Sequence, residues 1–251
     1  MARGFQKRME GPKADLSKWI PRTELGRKVM NGEIKNVHQV FELGYVIREP
    51  EIIDFLIPTL SEEIIYIGGM PGKGGGKMRT PLRITTRMHR SGRRRTIHAL
   101  MAVGNKNGVV GIGYAIGKDA KSAIEKAGKQ ARLNVMLVRR GCGSWECNCC
   151  GTHSIPFKAI GKRGSVKVLL IPAPKGIKLG VADEIKKVMT LAGIHDLWMK
   201  SRGDTGTRVN FVLAVFEAFR NLNKLKADDE AIKVTGMKLG MISAEPKQES
   251  A

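Results

Sequence analysis

Apolar and polar residues in this chain alternate in short runs, shift to helical spacing, and then pass through strand-like and helical spacing a second time, with no internal sequence repeat. Period-two alternation marks strands, and a period near 3.6 marks an amphipathic helix. The first cycle predicts strands over roughly Leu82 to Met88, Thr96 to Val103 and Val109 to Ile116. His89-Arg90-Ser91-Gly92-Arg93-Arg94-Arg95 forms a charged hairpin tip between the first two strands, and Asn105-Lys106-Asn107-Gly108 a tight turn between the next two. Asp119 then caps a helix running to about Val138. Ile124, Ala127, Ala131, Val135 and Val138 mark its buried stripe, with Lys121, Lys129, Arg132 and Arg139 off it. This cycle reads β-β-β-α.

The second cycle begins near Ser154. Val166, Val168, Leu169, Leu170 and Ile171 form a buried strand ended by Pro172. Val181, Ile185, Val188 and Ala192 space out a helix with Asp183 and Glu184 in its first turn and Gly193 past its end. His195 to Lys200 reads as a short strand, and Val212, Val215, Phe216, Phe219 and Leu222 as a last amphipathic helix. Upstream, Thr23 to Asn31 and Glu33 to Leu43 suit short helices, followed by an apolar patch at Ile52, Ile53, Phe55, Leu56 and Ile57. Gly68 to Lys77 reads as a flexible basic linker. The expected organisation is an extension over 1–63, a first domain over 64–140, a cysteine-rich insert over 141–153, a second domain over 154–227 and a loose polar tail over 228–251.

Charge changes this picture from a fold to a surface. The net charge of +21 is concentrated: residues 64–182 carry 23 basic and 3 acidic residues, whereas 1–63 carry 10 of each and 183–251 carry 11 and 10. From Ile64 to Lys118, 55 residues pass without one Asp or Glu. Packed like charges repel, so a surface without carboxylates points to a polyanion as partner. Aromatics are only 5%, which argues against a base-stacking platform and for recognition of backbone and shape. No apolar run reaches the ~20 residues of a membrane span, and the basic start lacks the apolar stretch of a secretory signal. Four cysteines confined to Cys142–Cys150 suit a reducing cytosol rather than a disulfide framework.

Two glycine motifs invite nucleotide-binding readings, and both fail. Lys77 is followed by Met78 rather than Ser or Thr. Gly111-Ile112-Gly113-Tyr114-Ala115-Ile116-Gly117 lacks the downstream ribose-binding acid, so its glycines mark a strand closely approached by other backbone. No catalytic constellation emerges, and no enzyme is expected. The cysteines are more specific. Cys142, Cys147, Cys149 and His153 suit tetrahedral structural zinc, with Cys150 as the alternative ligand. A free zinc-containing nucleic-acid-binding regulator is the competing reading, but the basic residues concentrate in turns rather than on a recognition helix.

These residues carry a resemblance. HRSGRRR, GNKNGVVGIGYAIGK, DAKSAIEKAGKQARLNVMLV, GSVKVLLIPAPKG and VMTLAGIHDLWMKSRGDTGTRVNF resemble the universal fifth protein family of the small ribosomal subunit, over about residues 60–225. TELGRKVMNGEI, IIDFLIPTL and GCGSWECNCC resemble its archaeal branch. The resemblance implies an α+β protein: a double-stranded-RNA-binding-like domain, then an α/β sandwich of a four-stranded sheet and two helices. It implies a cytoplasmic structural constituent of the ribosome that contacts 16S rRNA and the fourth and eighth small-subunit proteins, lies near the mRNA entrance path, and bears on assembly and decoding accuracy. The tip Met88–Arg95 matches the segment that in the family reaches toward RNA of the head and neck. The expected rRNA-binding residues are Lys73, Lys77, Arg79, Arg83, Arg87, His89, Arg90, Arg93, Arg94, Arg95, Lys106, Lys118, Lys121, Lys162 and Arg163. One departure is the turn Ile177-Lys178-Leu179-Gly180, where relatives place a second Gly near Lys178.

Overall fold

The structure, a computed structural model, describes residues 19–71, 77–147 and 149–241. Among the described residues three short helices lead in: α1 (Glu24–Met30), α2 (Val37–Glu42) and α3 (Glu51–Leu56). Thr23 caps α1 by accepting from Gly26 N at 3.1 Å. The second helix starts at Val37 instead of Glu33, because Gln39 Oε1 accepts from the backbone N–H groups of Lys35 and Asn36. Leu25, Val29, Val37, Val40, Ile52 and Ile53 pack onto Val109, Val135 and Leu137, so the extension shares a core with the first domain.

That domain is a five-stranded antiparallel sheet, two strands more than the alternation predicts. The strands are β1 (Ser61–Ile64), β4 (Arg83–His89), β5 (Gly92–Gly104), β6 (Val109–Gly117) and β7 (Val135–Leu137). Their order is β1-β5-β6-β7, with β4 paired to the outer half of β5. Helix α4 (Ala120–Leu133) ends before Val135, which falls in β7 and not on the helix. Gly111 and Gly113 let α4 lie directly on β6: a Cβ at Gly113 would come within 2.1 Å of the Ala127 carbonyl oxygen. The expected linker is also structured at both ends, where β2 (Gly68–Pro71) pairs antiparallel with β3 (Lys77–Thr80). Arg208 Nη1 donates to Gly68 O at 3.0 Å and helps seat that hairpin on the second domain.

Alternate residues of β5 serve two cores. Ala99 and Met101 face Ala123, Ile124 and Ala127 of α4. Leu100 and Ala102 join a core that includes Ile185, Val188 and Leu191, on helix α5 (Asp183–Ala192) of the second domain. The first sheet is therefore held between its own helix and its neighbour, a two-sided burial that fixes the domains against each other.

The second domain is a four-stranded sheet in the order β11 (Leu179–Gly180), β12 (Leu197–Arg202), β10 (Val166–Pro172), β9 (Ala159–Arg163), backed by α5 and α6 (Arg208–Lys224). Val168, Leu170, Phe211, Val215 and Phe219 fill the space between sheet and helices. Gly193 ends α5 in the left-handed region (φ 76°). Lys178 also takes a left-handed φ of 67°, the conformation a glycine would adopt without strain, and its N–H donates to Asp196 Oδ1 at 2.7 Å.

The segment expected to be a loose tail is structured through Met241. Helix α7 (Asp229–Thr235) and strand β13 (Lys238–Leu239) follow α6, and β13 pairs antiparallel with β8 (Arg139–Arg140). Among the described residues no helix is long and apolar enough to cross a membrane.

Candidate nucleic-acid interface and metal centre

The acid-free stretch becomes a two-stranded arm. Beyond the end of β1, β4 and β5 continue as a hairpin whose turn is only Arg90-Ser91, since His89 pairs with Gly92. Arg93, Arg94 and Arg95, expected in the charged hairpin tip, are instead strand residues in register with β4. Strand pairing sorts the arm into faces, because directly opposed residues point the same way. Arg83, Arg87, His89, Arg94 and His98 fall on one face, and Ile84, Met88, Arg93 and Arg95 on the other. Arg87 lies directly opposite Arg94, a like-charge pair that destabilises an isolated ribbon.

The arm is stiffened at its root by a chain of side chains. Thr96 Oγ1 contacts Thr85 Oγ1 at 2.7 Å, Thr85 Oγ1 contacts His98 Nε2 at 2.8 Å, and His98 Nδ1 contacts Tyr114 OH at 2.5 Å. Burial, followed by the nearby Arg83, holds the His98 pKa below its ordinary value, so the ring stays neutral in this chain of hydrogen bonds.

Ion pairing divides the cations into two classes. Arg79 and Arg208 both bind Glu184, whose side chain is 5% exposed. Arg132, expected on the outer side of its helix, is buried between Asp54 (2.8 Å) and Glu62. By contrast, the six arm arginines Arg83, Arg87, Arg90, Arg93, Arg94 and Arg95 are all exposed, and none is ion-paired to a carboxylate among the described residues. Lys106, Lys118 and Lys121 are exposed on the same domain, in the β5–β6 turn, after β6 and in the first turn of α4. Lys162 and Arg163 are exposed on a different sheet, at the β9–β10 turn. Lys77 lies in β3, and Lys73 lies outside the described residues.

The second cluster sits between the domains in sequence. Ligand atoms of Cys142, Cys147, Cys149 and His153 all lie within 4.8 Å of one another. His153 Nε2 is 3.2 Å from Cys149 Sγ and 3.9 Å from Cys147 Sγ. Tetrahedral zinc with a Zn–S bond of about 2.3 Å sets its ligand atoms about 3.8 Å apart, so the donor set and spacing fit. Cys150 is turned away: it adopts φ 47° and its thiol donates to Val234 O at 3.3 Å. On the far side of the ring, His153 Nδ1 lies 2.9 Å from Asp196 Oδ2, at ion-pair distance but without hydrogen-bond alignment. Asp196 is itself fixed by the Gly176 and Lys178 N–H groups. A carboxylate behind a ligating imidazole orients the ring and raises its basicity. Sequence reasoning missed this acid; its only signal was an Asp beside His195, far from the cysteines in the chain. Burial pushes the Cys142 thiol up to about 11, whereas the Lys175 backbone N–H and Cys149 bring Cys147 down to about 6.

The profile described as Ribosomal protein S5, N-terminal domain matches residues 81–139, and that described as Ribosomal protein S5, C-terminal domain matches residues 161–232. The cysteine-histidine cluster falls between these two segments. Among similar proteins, one named small ribosomal subunit protein uS5 from Pyrobaculum aerophilum is 46% identical over 207 residues, covering 82% of this chain and 88% of its own. A protein of the same name from Methanothermobacter thermautotrophicus is 44% identical over 223 residues, 89% of this chain and 96% of the relative. A third, from Nanoarchaeum equitans, is 42% identical over 228 residues, 91% and 98% of the two chains.

Proposed function

The chain belongs to the ribosomal protein S5 family, and on that premise we propose that it works by placement: it binds 16S rRNA and holds converging RNA helices and neighbouring proteins in register within the small ribosomal subunit of the cytoplasm. The family is structural rather than catalytic, which agrees with a surface whose chemistry is charge. The proposed partners beyond rRNA are the fourth and eighth small-subunit proteins. The proposed setting is near the mRNA entrance path, where a rigid brace bears on assembly and decoding accuracy.

The observation that carries the reading is the arm of exposed arginines without acidic partners. Arginines that brace the fold, Arg79, Arg132 and Arg208, have carboxylates, and those on the arm do not. A folded protein gains nothing from an unneutralised Arg87–Arg94 pair unless phosphate supplies the missing charge. The two shared cores then keep the arm fixed in direction, and backbone contacts fix register without reading sequence.

The cluster of Cys142, Cys147, Cys149 and His153 is proposed as a structural zinc site. With four protein ligands it leaves no open position for catalysis, and bound zinc would order a loop with little apolar surface of its own.

The test is the salt dependence of binding to structured 16S-type rRNA. Replacing Arg93, Arg94 and Arg95 together with Ala should weaken binding and reduce the slope of log K against log salt by up to about three units. An unchanged slope would remove the arm from the interface. Co-sedimentation with small subunits on a sucrose gradient separates a ribosomal component from a free regulator.

A further inference from the structure

A cavity of about 280 Å³ opens beside the cysteine-histidine cluster, lined by Arg140, Cys149, Gly151, Thr152, His153, Lys175, Gly193 and His195. No carboxylate among the described residues lines it. Arg140 is 5% exposed, yet no carboxylate is paired with it among the described residues. Its guanidinium is held by neutral acceptors only: Nη1 donates to Gly193 O at 3.3 Å, and Nη2 donates to Asn107 Oδ1 at 2.6 Å and to Gly240 O at 3.3 Å. Its Nε is buried with no hydrogen-bond partner among the described residues. A buried guanidinium keeps its charge, so an arrangement without a counter-ion is costly unless an anion completes it.

The neighbouring groups do not complete it. The acid behind His153 is Asp196, which faces that ring and accepts two backbone N–H groups. A zinc ion with three thiolates and a neutral imidazole would formally carry −1, against +2 for Arg140 and Lys175, which leaves the wall at +1. The space is adequate for a small anion, since water takes about 30 Å³ and the cavity holds several times that.

We propose that this cavity is a phosphate-binding site that takes one phosphate group, in the assembled particle an RNA backbone phosphate, between the buried Arg140 guanidinium and the exposed Lys175 ammonium. Thr152 and His195 stand at its rim as further polar contacts. The site lies where β8, the insert and the second domain meet, so it would add a phosphate contact separate from the arm.

The test uses the full-length zinc-loaded protein and inorganic phosphate, followed by phosphorus NMR line broadening. The wild-type chain should show saturable binding. Lys175→Met should weaken it at least about tenfold with zinc content unchanged, and Lys175→Arg should restore it. Equal phosphate binding by the wild type and Lys175→Met overturns the site. The RNA arm of the test rests on the rRNA reading, whereas the phosphate arm does not. Lys175→Met should lower the salt slope of rRNA binding by about one unit, independently of the arm variant. Loss of phosphate binding with an unchanged slope would overturn the RNA assignment and leave the site to free phosphate.

Discussion

The buried Arg132 illustrates how one residue can join parts of a chain far apart in sequence. Its Nε donates to Asp54 Oδ1 of α3 at 2.8 Å, and its Nη2 donates to Glu62 of β1. All three side chains are largely buried, with Arg132 at 7%, Asp54 at 16% and Glu62 at 11% exposed. Coulomb attraction between such groups is offset by desolvation, so the triad contributes little net stability while intact. Removing its centre is another matter, because two carboxylates would stay buried without their cation. Arg132→Ala should therefore destabilise the protein by about 3–5 kcal/mol, read as a lower denaturant midpoint at constant slope. A loss under about 1 kcal/mol would mean that water reaches both acids and that the triad does not hold the extension. This pairing was not legible in the sequence. Helical spacing put Arg132 off the stripe of Ile124, Ala127 and Ala131, and nothing local reveals partners that lie 78 and 70 residues away.

At the scale of elements, spacing and turn chemistry were legible where a strand or helix is long, and not where it is short. Strand β6, the part of β5 from Thr96 onward, helix α6 and the Asn105–Gly108 turn follow from alternation, helical period and the Asn-Gly pair, whereas Gly92 to Arg95 of β5 were read as hairpin tip. The edge strands β1 and β7 do not, because three or four residues carry no resolvable period. Helix α4 was read too long for the same reason: Val135 and Val138 continue its apolar spacing by coincidence after Asn134 has ended it. The glycines of β6 were legible as places of close approach, and the structure identifies what approaches. The ideal Cβ at Gly113 would sit 2.1 Å from Ala127 O and 2.3 Å from Ala131 N, both backbone atoms that cannot rotate away. Gly113→Ala should cost about 1–3 kcal/mol or more by lifting α4 from the sheet. Gly69→Ala, where nothing among the described residues lies within 4 Å, should leave the midpoint of thermal unfolding nearly unchanged. Equal effects would show that α4 is free to shift.

Across the whole molecule, the last described segment joins the insert, the first domain and the extension, and depends on the cysteine-rich insert for its place. Thr235 O accepts from Cys142 N at 2.8 Å, and Val234 O accepts from the Cys150 thiol. Gly240 N donates to Val138 O at 3.1 Å, and Met241 N donates to His38 Nε2 of the extension at 2.9 Å. Apolar burial adds little, since Val234 is 71% and Ile232 39% exposed. Hydrogen bonds to a loop hold a segment only as well as the loop itself is ordered. The insert buries few apolar groups of its own, so its order would follow the metal. Purified protein should contain one zinc per chain, which Cys149→Ser should abolish and Cys150→Ser should spare. Chelation should then speed amide hydrogen exchange across residues 229–240, while amides of β10 and α6, buried in the second domain, remain protected. Wild-type protein without zinc would remove the centre. Zinc that can be stripped with no change in exchange at 229–240 would instead separate it from the segment, leaving β13–β8 pairing and the His38 contact to hold the chain's end.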